Sequence, residues 1–468
     1  MEKAYLGIKD DLLMVNFFTY IIYIMNTEKK ETKDLFIPQE CIKVISPSAI
    51  FYPLAGRSEE GLTLFTSMVF LLRNFKETLT SFTAGDQVVV LQIYNGMLFY
   101  IQSHHRISDG LLLFLLQIIH DIAVFIFGKN FETFMSNNIN EDHRKTYAKC
   151  IETFFELCNK DYKYLLCVPD IDVKHSNLSK FLKDHNPFNQ IPIDPTFVEC
   201  VLFFNHKIIG RYKCKQSSFK SIDQRDLFQL ALNERVNFSS SSFSSDTSVS
   251  EDFSKESIKY RRVYLYFNNS PQCCFLSEAQ LGQNSSFVIT LVFKREQPTD
   301  EIREQIYQII KGFITLIKSF DQPPLIPKSF QITGLLHYLL VNRTTGHYYE
   351  MLKPNVAYPI FTKIQRKMAS VAMMALQTGN FVMFENQMKF QFTYELKFRR
   401  KSNVITPTEK LKIQPGDISY SKIVTDLFPN DSSIQCFELM TVYLGVMNTK
   451  DVIDANKHLF DSLVSAAS

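Results

Sequence analysis

The stretch Leu111–Phe127 is apolar almost all the way round, broken only by Gln117, His120 and Asp121. A helix of this kind has no solvent face, so its surroundings must be apolar on every side. Crossing a lipid bilayer with those three groups is costly. The stretch is therefore expected to be buried inside a fold or at an interface. What precedes it narrows the fold further. Gln87–Tyr94 and Met97–Ser103 are β-type runs separated by Asn95-Gly96, a pair suited to a two-residue hairpin turn. Upstream lie a strand-like run, Leu12–Met25, and a helical one, Glu60–Phe75; downstream a further helix covers about Arg144–Leu157. The order is strands, helix, hairpin, helices.

The same order returns twice. Phe197–Phe204 and Lys207–Tyr212 flank Asn205-His206 as a second hairpin, followed by a short helix over Gln224–Asn233 and strands at Lys259–Phe267 and Phe287–Phe293. Thr299–Phe320 places Ile302, Ile306, Ile309, Ile310, Phe313, Ile314 and Ile317 at helical spacing between Pro298 and Pro323-Pro324. In the last third, strand-like Ile332–Val341 and His347–Leu352 enclose the turn Arg343-Thr344-Thr345-Gly346. A helix follows over Pro359–Leu376, then strands at Lys389–Phe398 and Phe437–Val446 and a closing helix at Asp451–Val464. The fold class is α/β (α+β), in three modules that are each a mainly antiparallel sheet flanked by helices. The boundaries fall at 1–172, 190–321 with a serine-rich loop at 239–250, and 328–468. At 468 residues the chain is too long for one ordinary core.

A formal charge of +3, from 51 basic and 48 acidic residues, is too balanced for a nucleic-acid-binding surface. The nine cysteines are scattered, and Cys273-Cys274 is the one adjacent pair. Their spacing points to no zinc site and to free thiols in a reducing, cytoplasmic compartment. Met1-Glu2-Lys3 runs into Asp10-Asp11 rather than a basic segment, and no small-residue cleavage site follows Leu12–Met25, so no secretory signal is expected. With 15 glycines there is no phosphate-cradling loop, and no metal or cofactor is expected. Asp300, Glu301 and Glu304 suit the dipole of the helix they open, and Arg399-Arg400-Lys401 reads as an exposed turn.

One motif points to chemistry. His104-His105-Arg106-Ile107-Ser108-Asp109-Gly110 fits the H-H-x-x-x-D-G signature of coenzyme-A-dependent acyltransferases, with His105 as general base and Asp109 structural. Phe51-Tyr52-Pro53-Leu54-Ala55-Gly56-Arg57 resembles a stretch of the same enzymes. The two elements lie closer together than in those enzymes, however, and their D-F-G-W-G motif is missing from a chain without tryptophan. The bland alternative is a polar strand-to-helix turn. Glu60–Phe75 carries more information. Leu62, Phe65, Val69 and Leu72 make one apolar face and Leu64, Met68, Leu71 and Phe75 another, so one side can lie on its own sheet while the other needs a further layer or a partner.

Gln87–Gly128, with its glycine-turn hairpin, polar turn at Asp109 and helix ending Phe125-Ile126-Phe127-Gly128, resembles the first longin domain of the Hermansky–Pudlak syndrome protein 4 / CCZ (calcium–caffeine–zinc sensitivity) family of triple-longin-domain Rab exchange-factor subunits. Phe51-Tyr52-Pro53 resembles that family's F-Y-P element, and Phe197–Tyr212 its second longin hairpin. Phe437–Val446, with Asn448 and the helix at Asp451–Leu463, resembles its closing strand and helix. The resemblance implies three longin domains and a heterodimer with a second triple-longin subunit. Such a heterodimer is a guanine-nucleotide exchange factor for a Rab-type small GTPase of the late endosome, lysosome or lysosome-related organelles, cytoplasmic and peripheral on those membranes through its partners. Exchange by such a complex is differential binding to the nucleotide-free switch conformation, without covalent chemistry. The resemblance carries over no catalytic residue, and the partner-binding positions expected are surface positions of the first-domain helix and hairpin: Leu64, Phe65, Met68, Leu71, Phe75 and Tyr94. Another longin or roadblock-type trafficking scaffold is the remaining alternative.

Overall fold

The computed structural model describes residues 42–45, 50–52, 81–84, 87–320 and 332–465 apart from short breaks, the longest being 132–140, 239–252 and 408–418. The expected strand Leu12–Met25, the expected helix Glu60–Phe75 and the serine-rich loop lie outside the described residues.

The first sheet consists of β1 (Ile42–Ile45), β2 (Ile50–Tyr52), β3 (Ser81–Ala84), β4 (Gln87–Tyr94) and β5 (Met97–His104), and is followed by helices α1 (Asp109–Phe127), α2 (Glu141–Lys160) and α3 (Ser176–Asp184). The second contains β6 (Phe197–Phe204), β7 (Lys207–Tyr212), helix α4 (Gln224–Phe238), β8 (Lys259–Phe267), β9 (Ser270–Gln280) and β10 (Phe287–Phe293), and is followed by α5 (Asp300–Ser319). The third contains β11 (Leu335–Asn342), β12 (Tyr348–Glu350), helix α6 (Tyr358–Gln377), β13 (Val382–Gln387), β14 (Phe390–Arg400), β15 (Asn403–Ile405), the short helix α7 (Tyr420–Leu427) and β16 (Ile434–Leu444), and is followed by α8 (Thr449–Ser465). The spatial orders are β2-β1-β5-β4-β3, β7-β6-β10-β9-β8 and β12-β11-β16-β14-β13, with β15 added beside β14. Counted from its own first strand, and with the added β15 left out of the count, each sheet has the same order, 2-1-5-4-3. All the pairings within the sheets are antiparallel.

Local chemistry explains why these elements form. Asn205 and His206 both adopt positive φ (48° and 62°), the twist a two-residue hairpin needs between β6 and β7, and Gly96 supplies φ 79° between β4 and β5. Thr299 caps α5, with its side chain accepting from Ile302 N–H, and Ser108 caps α1 by accepting from Leu111 N–H. Gly128 ends α1 at φ 84°, where the Tyr264 ring lies 2.8 Å from the place a Cβ would occupy.

Several elements are additional to the sequence reading or longer than expected. The helix expected over Gln224–Asn233 runs on to Phe238. β9 carries Pro271 as its second residue and alternates poorly; it is a strand because β8 and β10 pair with its two sides. β3, β13, β15, α3 and α7 are short and carry too few periods to read.

The alternatives for Leu111–Phe127 are resolved inward. One side of α1 lies on β4 and β5, the other on α6, and the helix also meets α2, α4 and β8. Leu111, Leu112, Leu115, Leu116 and Ile119 are fully buried in one continuous core that contains Phe99 and Ile101 of the first sheet and Met368, Ala372, Tyr394 and Met440 of the third unit. Among the described residues α1 is the one helix long and apolar enough to cross a membrane, and most of it is buried inside the protein.

Candidate functional site

The sequence-derived site residues separate sharply. Leu64, Phe65, Met68, Leu71, Phe75 and His105 lie outside the described residues. Tyr94 and Asp109 are placed. Tyr94 closes β4, half-buried, with its ring stacked on His120 of α1 at 4.1 Å and meeting Phe99 edge-on at 5.2 Å. Its hydroxyl lies 2.6 Å from Gln92 Oε1 and 2.9 Å from Gln117 Oε1, two acceptors that share its one proton. Asp109 is exposed in the first turn of α1, where its carboxylate complements the helix N-terminus and accepts from Ser81 Oγ of β3 at 2.5 Å. The strand-to-helix turn therefore does structural work through Ser108 and Asp109.

The first sheet is buried on both faces. Val88, Val90, Phe99 and Ile101 meet α1, while Ile45, Val89, Leu91 and Leu98 on the opposite face are also fully buried. In the second and third units the connection between the second and third strands carries a helix, α4 and α6. The corresponding connection of the first unit is residues 53–80, which contains the doubly apolar sequence 60–75 and lies outside the described residues.

The best-defined polar constellation lies where the three units meet, around a cleft of about 510 Å³. On one wall Asp121 of α1 accepts from Gln117 Nε2 at 2.8 Å and pairs with Arg225 of α4, whose guanidinium stacks 4.6 Å over the Tyr266 ring. Burial pushes the Asp121 carboxyl up, but Arg225 and His120 outweigh it and hold it below its ordinary value. On the other wall Arg343, in the β11–β12 turn, pairs with Glu438 of β16 (Nε to Oε2, 2.6 Å) and donates from Nη1 to the Leu166 carbonyl at 2.9 Å. Glu438 also accepts from the Tyr394 and Tyr420 hydroxyls. Arg343 and Glu438 are 4% and 0% exposed, so this pair is fully desolvated. Cys167 lines the cleft too, and burial pushes its thiol up, away from nucleophilic form. These ionised groups are committed to holding units together, and the constellation fits a rigid junction rather than a reaction centre.

Sequence reading passed over this junction, although a signal was present. Glu438 is the one charged residue of the mainly apolar β16, as Glu199 is of β6, and Glu278 is buried in the more polar β9. A lone carboxylate at such a place requires a buried partner. Glu199 has Arg211 in bidentate contact, its two oxygens accepting from Nε and Nη2 at 2.8 Å each, and Glu278 accepts from Asn233 Nδ2 at 2.9 Å beside Arg261.

Residues 55–157 match the family model described as the first longin domain of FUZ, MON1 and HPS1. The match spans 60–75, the β4–β5 hairpin, α1 and most of α2, and it supports a longin-domain trafficking protein. The resemblance noted above pointed to the Hermansky–Pudlak syndrome protein 4 / CCZ family; the two agree on the longin domain and differ on the branch. No curated protein matches the chain.

Proposed function

We propose that this chain is one subunit of a heterodimeric guanine-nucleotide exchange factor for a Rab-type small GTPase in late endosomal or lysosomal trafficking, cytoplasmic and recruited to membranes through its partners. The observation that carries the reading is the longin match over 55–157 in a chain whose three sheets share one strand order. Its longin units run over about 1–172, 190–321 and 328–468, and the partner is a second triple-longin subunit.

The burial of α1 bears on where that partner binds. Of the two sequences apolar on both sides, α1 uses both inside the protein, between the first sheet and α6. The partner surface in this reading is the other doubly apolar sequence, residues 60–75, through Leu64, Phe65, Met68, Leu71 and Phe75. Tyr94 takes part by fixing the end of the hairpin against α1. Exchange follows if the paired first units bind the nucleotide-free GTPase more tightly than the loaded one.

Affinity purification of the tagged full chain from its native cells tests the reading. The expected result is a stoichiometric second longin protein, lost on Met68→Asp because an unpaired charge in a desolvated contact costs about 2–5 kcal/mol. A folded Met68→Asp chain that retains the partner overturns the interface, and a wild-type chain that purifies alone overturns the subunit assignment.

A further inference from the structure

The connector between the first and second units, residues 161–171, meets the third sheet through a cluster of carboxylates gathered around one lysine. Lys163 Nζ lies 2.7 Å from Asp161 Oδ2 and 3.4 Å from Asp170 Oδ1, and donates to the Tyr348 hydroxyl at 3.3 Å. The hydroxyls of Tyr348 and Tyr164 donate to the two Asp170 oxygens at 2.9 and 3.0 Å, and Arg235 of α4 stands 3.9 Å from the same carboxylate. Beside this cluster His337 of β11 is wholly buried. Its Nε2 lies 3.1 Å from the Tyr162 hydroxyl and 3.6 Å from Oε1 of Glu350 at the end of β12. Its Nδ1 has no hydrogen-bond partner among the described residues, and the Phe361 ring of α6 packs edge-on at 4.8 Å.

Counting charges singles out one group. Asp161, Asp170 and Glu350 share Lys163; Arg235 and Lys207 add to it at Asp170, whereas at Glu350 Lys163 is the one cation that opposes the rise. The imidazole does not restore the balance, because burial holds His337 down at about 3. Asp170 is the best served: burial raises it, but Lys163, Lys207 of β7 and the two tyrosine hydroxyls outweigh that and hold it below its ordinary value. Glu350 faces Asp161, Asp170 and Lys163 from the connector; the Tyr162 and Tyr338 hydroxyls also feel its charge, and His337 lies against it. Burial, then Asp161 and Asp170, push it up to about 7, with Lys163 opposing.

We propose that Glu350, His337 and Tyr162 form a proton-operated latch between the connector and the third sheet, closed when Glu350 is a neutral carboxyl and loosened when it is a carboxylate. A neutral carboxyl beside a neutral imidazole leaves Lys163 to balance Asp161 and Asp170. Loss of the proton to water adds a third anion next to an imidazole that does not protonate to meet it. The sign follows from a folded value above the unfolded one: the latch is firm at low pH and weakens as pH rises through about 7. The grip of the third unit on the joint between the other two thus depends on pH in the neutral range.

Hydrogen exchange on the full-length protein, read by mass spectrometry between pH 6 and pH 8 and corrected for the intrinsic rate, tests this. Peptides spanning 161–171 and 335–350 are expected to open about tenfold more at pH 8 than at pH 6. Glu350→Gln is expected to abolish that dependence. Glu278→Gln, which removes a carboxyl of the second sheet that burial also raises to about 7, is expected to leave it intact. A flat wild-type profile overturns the latch whether or not the variants fold, and so does an unchanged profile in a folded Glu350→Gln protein.

Discussion

Arg343→Met is expected to destabilise the full chain by about 3–5 kcal/mol, because it strands a buried carboxylate. Arg343 is the cation for Glu438, a hydrogen-bond donor to the Leu166 carbonyl and a partner stacked 4.4 Å over the Tyr420 ring. Methionine keeps much of the volume and none of these contacts. The double variant Arg343→Met/Glu438→Leu is expected to regain a large part of the loss, since two apolar groups in a buried site cost less than one unpaired charge. Recovery stops short of complete, because the Leu166 carbonyl and the Tyr394 and Tyr420 hydroxyls then lack their partner. Urea unfolding of the four proteins in a cycle gives the coupling. Additive losses, or a single-variant cost below about 1 kcal/mol, contradict a fully desolvated pair joining the third unit to the connector.

A larger loss is expected at Ile119→Asp. Ile119 is fully buried in α1, in the core shared by the first sheet and α6. A carboxylate there has no partner within an apolar layer, and a penalty of several kcal/mol approaches the whole stability of a domain. The first and third units should therefore unfold together, seen as loss of soluble chain and of the cooperative thermal transition. Ile453→Asp on α8, at a position 48% exposed, is expected to shift the midpoint little. A soluble Ile119→Asp protein that melts normally but no longer assembles would instead place α1 at a partner surface, contrary to its packing here.

What the sequence made legible followed from local chemistry. Asn205-His206 and Gly96 fix hairpin turns by backbone conformation, so those strands were placed to the residue or nearly so. Thr299 and the isoleucine spacing of α5 did the same for a helix. The similarity of the three modules was readable as a repeated order of elements, because each hairpin and helix carries its own signal. The junction was not. Arg343 read as part of a polar turn, and its partner is 95 residues away on a strand that only folding brings alongside. Asp121 and Arg225 are separated by 104 residues in the same way. Only the lone carboxylates in apolar strands hinted that such partners had to exist. The branch of the family was equally out of reach, since glycine turns, hairpin lengths and helix periods are set by what any longin sheet must do to close its core. The apolar pattern of 60–75 is a property of the sequence alone, since those residues lie outside the described ones.

The most direct measurement of the central claim is release of a fluorescent guanine nucleotide from Rab-type GTPases by the complex purified on the tagged full chain. The account predicts that catalytic amounts of the wild-type complex accelerate release from a late endosomal or lysosomal Rab, and that material prepared in the same way on Met68→Asp does not. A stoichiometric longin complex that leaves nucleotide release from every such Rab at its intrinsic rate would contradict it.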